Sequence, residues 1–98
     1  MIRTTNAPGR TAVFLEGNVG VDDTEPLQKA LEEAAAKGGD VEVDLSACRA
    51  LSSSAIGALI VCHNTLRGRG ERLRVVGASE DMRRLLKLMG LDRHFELV

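Results

Sequence analysis

The sequence predicts a single α/β domain with a mixed, mostly parallel sheet packed with helices. Its 98 residues suit one domain. After an opening hairpin, strand-like and helix-like apolar segments alternate, and glycines mark many of the junctions. The predicted order over residues 1–98 is β-β-α-β-α-β-α-β. Because crossovers between parallel strands are right-handed, this alternation gives a mostly parallel sheet.

The first two predicted strands form a hairpin. Residues 2–5 are a short β-branched run that suits an edge strand, and Pro8-Gly9 predicts the turn. Residues 12–16 follow as the second strand. They are apolar on both faces, which indicates a position inside the sheet rather than at its edge.

The next segment predicts a loop, a helix and a strand. We expect residues 17–23 to form a loop, with candidate N-cap oxygens from Asp22, Asp23 and Thr24. Apolar residues then recur at helical spacing as far as Lys37, and the glycines that follow stop the helix. Residues 41–45 alternate between apolar and acidic side chains, which predicts a strand.

A run of three serines precedes the second predicted helix. Residues 55–66 are too long an apolar segment for one strand, and they carry an apolar stripe at helical spacing. One serine is expected to be the N-cap, which contributes about 1 kcal/mol. Gly57 is costly inside a helix, by roughly 0.5–1 kcal/mol, so close packing against the sheet or against a partner would explain it.

The last third predicts a strand at residues 73–76, a helix and a short closing strand at residues 95–98. Ser79 caps the helix, and Gly90 ends it. The helix has one apolar face, formed by Met82, Leu85, Leu86 and Met89.

Composition excludes several classes of protein. The net charge of -1 and the absence of Trp and Tyr argue against nucleic acid as the main partner. The basic cluster of Arg67, Arg69, Arg72 and Arg74 contains Glu71, which is typical of a solvated junction between a helix and a strand. No apolar run is long enough for a membrane helix. We expect no signal peptide, because no basic segment followed by an apolar stretch opens the sequence.

Patterns typical of enzymes and of metal sites do not occur in the sequence. Cys48 and Cys62 stand apart, which favours two free, buried thiols in a reducing cytoplasm. His63 lies among apolar residues and is expected to be partly buried, and His94 has no partner at metal-ligand spacing. We therefore expect no catalytic residues, no metal and no cofactor.

Four segments, taken together in their order and spacing, carry a resemblance over nearly the whole chain. They are Leu15-Glu16-Gly17, Val43-Asp44-Leu45-Ser46, Ser53-Ser54-Ala55-Ile56-Gly57 and the run from Met82 to Leu91. On these segments the chain resembles the STAS domain family, of the anti-sigma factor antagonist type. In that family a serine at the start of a helix is phosphorylated by a cognate kinase that is also the anti-sigma factor. The unphosphorylated form binds the kinase, and a phosphatase resets the switch.

By position, the resemblance implies that Ser53 is the phosphoacceptor, with Ser54 and Ser52 as alternatives. The implied partner-binding surface comprises Ser52, Ser53, Ser54, Ala55, Ile56, Gly57, Asp22 and Asp23. The family motif has an aspartate where this chain has Ser52 and a glycine where it has Ala55. A second family acid falls at Gly20. These differences leave open an accessory subunit of a transport complex, which would hold an ATPase subunit without phosphorylation.

Overall fold

The computed structural model describes all residues 1–98 and contains three α-helices and two sheets. The strands are β1 (Ile2–Ala7), β2 (Arg10–Leu15), β3 (Gly17–Val19), β4 (Asp40–Asp44), β5 (Cys48–Leu51), β6 (Leu73–Val76) and β7 (Glu96–Leu97). The α-helices are α1 (Thr24–Ala36), α2 (Ser53–Arg67) and α3 (Glu80–Leu88). None of them has the length and apolar character that crossing a membrane requires.

The main sheet has the strand order β1-β2-β4-β6-β7, and every pair except β1–β2 is parallel. The predicted fold class is therefore confirmed. As predicted, β1 is an edge strand, joined to β2 by a turn at Pro8-Gly9, and β2 lies inside the sheet.

One face of the main sheet forms the core. Side chains alternate along β2, β4 and β6, so that Val13, Val43 and Val75 are almost fully buried under the helices. Their neighbours on the opposite face, such as Glu42 and Arg74, are half-buried. The sheet is therefore covered by helices on one side.

The turn that leads into β4 requires glycine. Gly39 has a φ of +85°, and the Asp40 backbone N–H donates to the Gly9 carbonyl at 3.1 Å. A side chain at Gly39 would collide with that carbonyl oxygen. Gly39 thus lets the segment between α1 and β4 lie against the β1–β2 turn.

The structure contains two short strands that the sequence did not predict. The predicted loop at residues 17–23 holds β3 and a 3-10 turn (Val21–Asp23). β3 pairs in parallel with β5 as a separate small sheet. Strands of three and four residues are too short to show an alternation, so only their pairing reveals them.

The third helix is less buried than its apolar face suggests. Met82 and Leu86 join the core, whereas Leu85 and Met89 are 47% and 48% exposed. α3 therefore contacts the core through a narrow stripe, formed by two side chains that lie one helical turn apart. Its end is as predicted, because Gly90 has a φ of +75° and Leu91 is buried after it.

Candidate functional site

The three serines lie where the small β3–β5 sheet meets the start of α2. The Ser52 backbone N–H donates to the Val19 carbonyl at 2.8 Å, which ties the start of α2 to the end of β3. The Ser52 hydroxyl oxygen accepts a hydrogen bond from the Ala55 backbone N–H at 3.1 Å. Ser52 is therefore the N-cap that the sequence predicts for one of the three serines.

Ser53 and Ser54 occupy the first two helical positions and are exposed. Backbone N–H groups in a first turn have no intrahelical acceptor, and here only that of Ala55 is capped by a side chain. The first turn of α2 holds no acidic residue. The structure thus places two accessible hydroxyls at the positive end of a helix without any carboxylate of that helix beside them.

The outward face of α2 continues from the serines along Ser54, Gly57 and Val61. A Cβ on Gly57 would find no atom within 4 Å, so packing against the sheet does not explain this glycine. Val61, one turn further on, is 63% exposed. Ala55 and Ile56 point into the core instead, with exposures of 0% and 4%. The predicted surface residues on α2 are thus divided between its two faces.

The 3-10 turn Val21–Asp23 lies beside α2, as expected for a shared surface. Its two acids differ in their surroundings. The Asp23 carboxylate accepts a hydrogen bond from the Gly20 backbone N–H at 2.9 Å and is half-buried, whereas Asp22 is exposed. Asp23 therefore holds its own turn together, and Asp22 is the acid that a second molecule can reach. The predicted side-chain cap of α1 is absent: Asp23 occupies the N-cap position, but its carboxylate bonds to Gly20 and not to the helix.

A groove of about 260 Å³ borders the serine site, and the sequence did not indicate it. Its apolar floor includes Leu51 and Ile56, which flank the serines along the chain, and Leu85 and Leu86 from α3. Arg49 and Asp81 stand among its polar residues. The groove lies between β5 and α3, with Ile56 of α2 in its floor, and only the placement of α3 beside β5 creates it. The only feature of the sequence that could have indicated the groove is the apolar face of α3. It has four residues, and the core buries only two of them.

The other candidate residues are not combined into a reactive centre. Burial raises the pKa of the Cys62 thiol to about 11 and also raises the pKa of the buried Cys48. Both thiols are therefore protonated near neutral pH. His63 is half-buried, as expected. No three side chains among His, Cys, Asp and Glu come close enough together to hold a metal ion.

Comparison with known proteins gives a family match over almost the whole chain. The family model described as "Mlab, STAS domain" matches residues 2–98. None of the curated proteins matches the chain.

Several solved structures share the fold. An anti-sigma factor antagonist from Mycobacterium paratuberculosis is 26% identical, with a TM-score of 0.87 over 99% of this chain and 83% of that one. The phosphorylated form of the Bacillus cell fate determinant SpoIIAA is 14% identical, with a TM-score of 0.80 over 100% of this chain and 91% of that one. A sulfate transporter family protein from Wolinella succinogenes is 15% identical, with a TM-score of 0.76 over 94% of this chain and 76% of that one.

These matches agree with the resemblance found in the sequence. The family model covers the sheet, the helices and the serine site together, and the chain has the fold seen in anti-sigma factor antagonists. The chain belongs to the STAS domain family.

Proposed function

We propose that this chain is an anti-sigma factor antagonist that works by partner switching in the cytoplasm. In its unphosphorylated form it binds a serine-kinase anti-sigma factor. The kinase phosphorylates Ser53 and thereby ends the complex, and a cognate phosphatase restores it. The observation that carries the proposal is the exposed Ser53 hydroxyl at a helix N-terminus that has no acid in its first turn.

The start of α2 can accept a phosphate without unfolding. A phosphoserine adds about -1.5 to -2 charge at neutral pH. Unpaired backbone N–H groups and the helix dipole favour an anion at this end of the helix. The added charge is therefore tolerated by the domain itself, and its effect falls on the molecule that docks there.

The surroundings of Ser53 suit a protein partner. The groove between β5 and α3 offers an apolar floor, and Leu85 at its edge is half-exposed. On the other side, Gly57 leaves open space above the helix, which lets a partner's backbone approach closely. A phosphate between these surfaces would have to lose water when the partner docks, and this opposes binding.

Phosphorylation is tested by incubating the protein with a serine-kinase anti-sigma factor from the same organism and ATP, followed by mapping of the phosphate by mass spectrometry. We expect one phosphate on Ser53, none in Ser53→Ala, and unchanged modification in Ser54→Ala. An unmodified protein, under conditions in which the kinase phosphorylates a known substrate, would remove the covalent switch.

Binding is tested by titrating the same kinase with charge variants. We expect Ser53→Ala to keep the affinity of the wild type and Ser53→Asp to weaken it by about tenfold or more, which corresponds to about 1.4 kcal/mol. Asn64→Asp is the matched control, because it adds the same charge at an exposed position on the same helix. Equal losses for Ser53→Asp and Asn64→Asp would place the contact elsewhere.

A second function, an accessory subunit of a transport complex, has its own support. The matching family model is described by the name Mlab, and a sulfate transporter family protein shares the fold. Ser52 and Gly20 also stand where the switch proteins carry acids. Co-purification separates the two functions, since a transport ATPase subunit and a serine kinase are different proteins.

A further inference from the structure

A second cavity, of about 430 Å³, lies at the opposite end of α2 from the serines. We call it the basic cavity, because four of its lining residues are cationic or can become so: His63, Arg67, Arg72 and His94. They come from α2, from the segment before β6 and from the segment before β7. From the first to the last of its 15 residues, Ser53 to Arg67, α2 rises by roughly 21 Å, so the two sites are separate.

The cavity is lined by two arginines and two glutamates, and these charges are unevenly paired. Arg72 and Arg74 share the single carboxylate of Glu96, at 3.6 and 3.4 Å. Arg67 forms no ion pair.

The other carboxylate of the cavity is already engaged. Glu71 pairs with Arg69 at 3.1 Å and accepts a hydrogen bond from the Gly39 backbone N–H. Both glutamates of the lining thus already pair with other arginines, and the Arg67 guanidinium has no carboxylate of its own.

The two histidines face each other across this charged region. Their ring centroids are 5.6 Å apart, and His63 also packs edge-on against Phe95. Burial lowers the pKa of His63, and the positive charges of His94 and Arg67 lower it further. Arg72 and Arg74 add positive charge near the site, and Glu71 and Glu96 add negative charge. A bound anion would relieve the repulsion among the cationic groups.

We propose that the basic cavity binds a phosphate monoester group, with the Arg67 and Arg72 guanidinium groups on the phosphate oxygens and His63 beside them. Guanidinium groups match the geometry of phosphate oxygens, and their charged hydrogen bonds are about twice as strong as neutral ones. The cavity volume falls within the roughly 300–1,000 Å³ of small-molecule sites. The end of a helix also favours a basic side chain by itself, so the test compares Arg67 with an arginine elsewhere.

The experiment follows the imidazole NMR signals of His63 and His94 in the full chain. Inorganic phosphate and glycerol 3-phosphate are titrated in one arm, and vesicles containing phosphatidic acid in another, at constant ionic strength. We expect one of these probes to shift the His63 signals and to raise the pKa of His63, since an adjacent anion favours the imidazolium. The responding arm identifies a soluble or a lipid source.

Arginine variants test which residues bind the phosphate. Arg67→Gln and Arg72→Gln should each weaken binding by about tenfold or more, because each loses a charge-assisted hydrogen bond. Arg49→Gln, which removes an exposed positive charge at the groove beside α3, should change the affinity less than about twofold. The proposal is overturned if no probe moves the His63 signals, or if Arg67→Gln and Arg49→Gln weaken binding equally. Unchanged melting temperatures confirm that the variants are folded.

Discussion

The helices α2 and α3 begin in the same way but differ in what surrounds their first turns. Each has a serine N-cap whose hydroxyl accepts from the backbone N–H three residues later, at 3.1 Å in α2 and 3.2 Å in α3. The first turn of α3 then carries Glu80 and Asp81, which also pair with Arg84. The first turn of α2 carries Ser53 and Ser54 and no charge.

Because of this difference, the N-terminus of α3 is offset by acids of its own, whereas the N-terminus of α2 can interact with an anion from another molecule. Acidic side chains at a helix N-terminus offset its positive partial charge. α3 supplies these acids from its own sequence. α2 does not, so a phosphate or a partner's acidic group can take that place. The same capping chemistry therefore supports structure in α3 and, in our proposal, regulation in α2.

The largest expected effect concerns how much the packing of each helix contributes to the free energy of unfolding. α2 buries six of its 15 residues and α3 buries two of nine. Leu59→Ala, in the fully buried face of α2, should lower the free energy of unfolding by about 2–5 kcal/mol. Leu88→Ala on α3 should change it by less than about 0.5 kcal/mol, because that side chain is 79% exposed. Urea denaturation measures both, and similar losses would mean that α3 is packed as tightly as α2.

A smaller effect concerns the outward face of α2. Gly57→Ala should raise the free energy of unfolding by about 0.5–1 kcal/mol, because alanine favours the helix and the new methyl group meets no atom. If the face serves a partner, the same variant should bind that partner more weakly. Urea denaturation and a binding titration check the two parts. A loss of stability would show that Gly57 is required by the fold and not by a partner.

The smallest effect compares the two caps directly. Ser52→Asp keeps an acceptor at the N-cap and adds a negative charge, so it should stabilise the protein by about 0.3–1 kcal/mol at low ionic strength. Ser79→Asp should gain less, since Glu80 and Asp81 already offset that helix end and repel a further carboxylate. Denaturation at low and high salt measures the difference, which salt should reduce. Equal increases in the free energy of unfolding for the two variants would contradict the view that only α3 already has acids at its N-terminus to offset its positive charge.

Much of the fold followed from local signals in the sequence. The β1–β2 turn at Pro8-Gly9, the alternation in β4 and the left-handed Gly90 after α3 are properties of short segments, and the structure confirms them. The short strands β3 and β5 could not be predicted in this way. Each exists because it pairs with the other across about 30 residues of chain, and neither has a pattern of its own.

The candidate site shows the same division. The sequence placed three serines at a helix start and expected one of them to be the N-cap, because capping depends on a few neighbouring backbone groups. Local patterns could not show which of the three serines caps the helix and which hydroxyls stay exposed. The pairing of Ser52 with Val19 and its bond to Ala55 decide this, and they leave Ser53 and Ser54 exposed.

By itself, the sequence determined the order of the three helices and of the five main-sheet strands, the serine caps of α2 and α3 and the residues at the start of α2. These follow from local periodicity and local hydrogen bonding. Tertiary structure alone decided the groove between β5 and α3 and the basic cavity at the end of α2 away from the serines. Both are formed by segments distant in the chain, whose packing depends on burying one shared core. That packing leaves Leu85 half-exposed and brings His63 and His94 together.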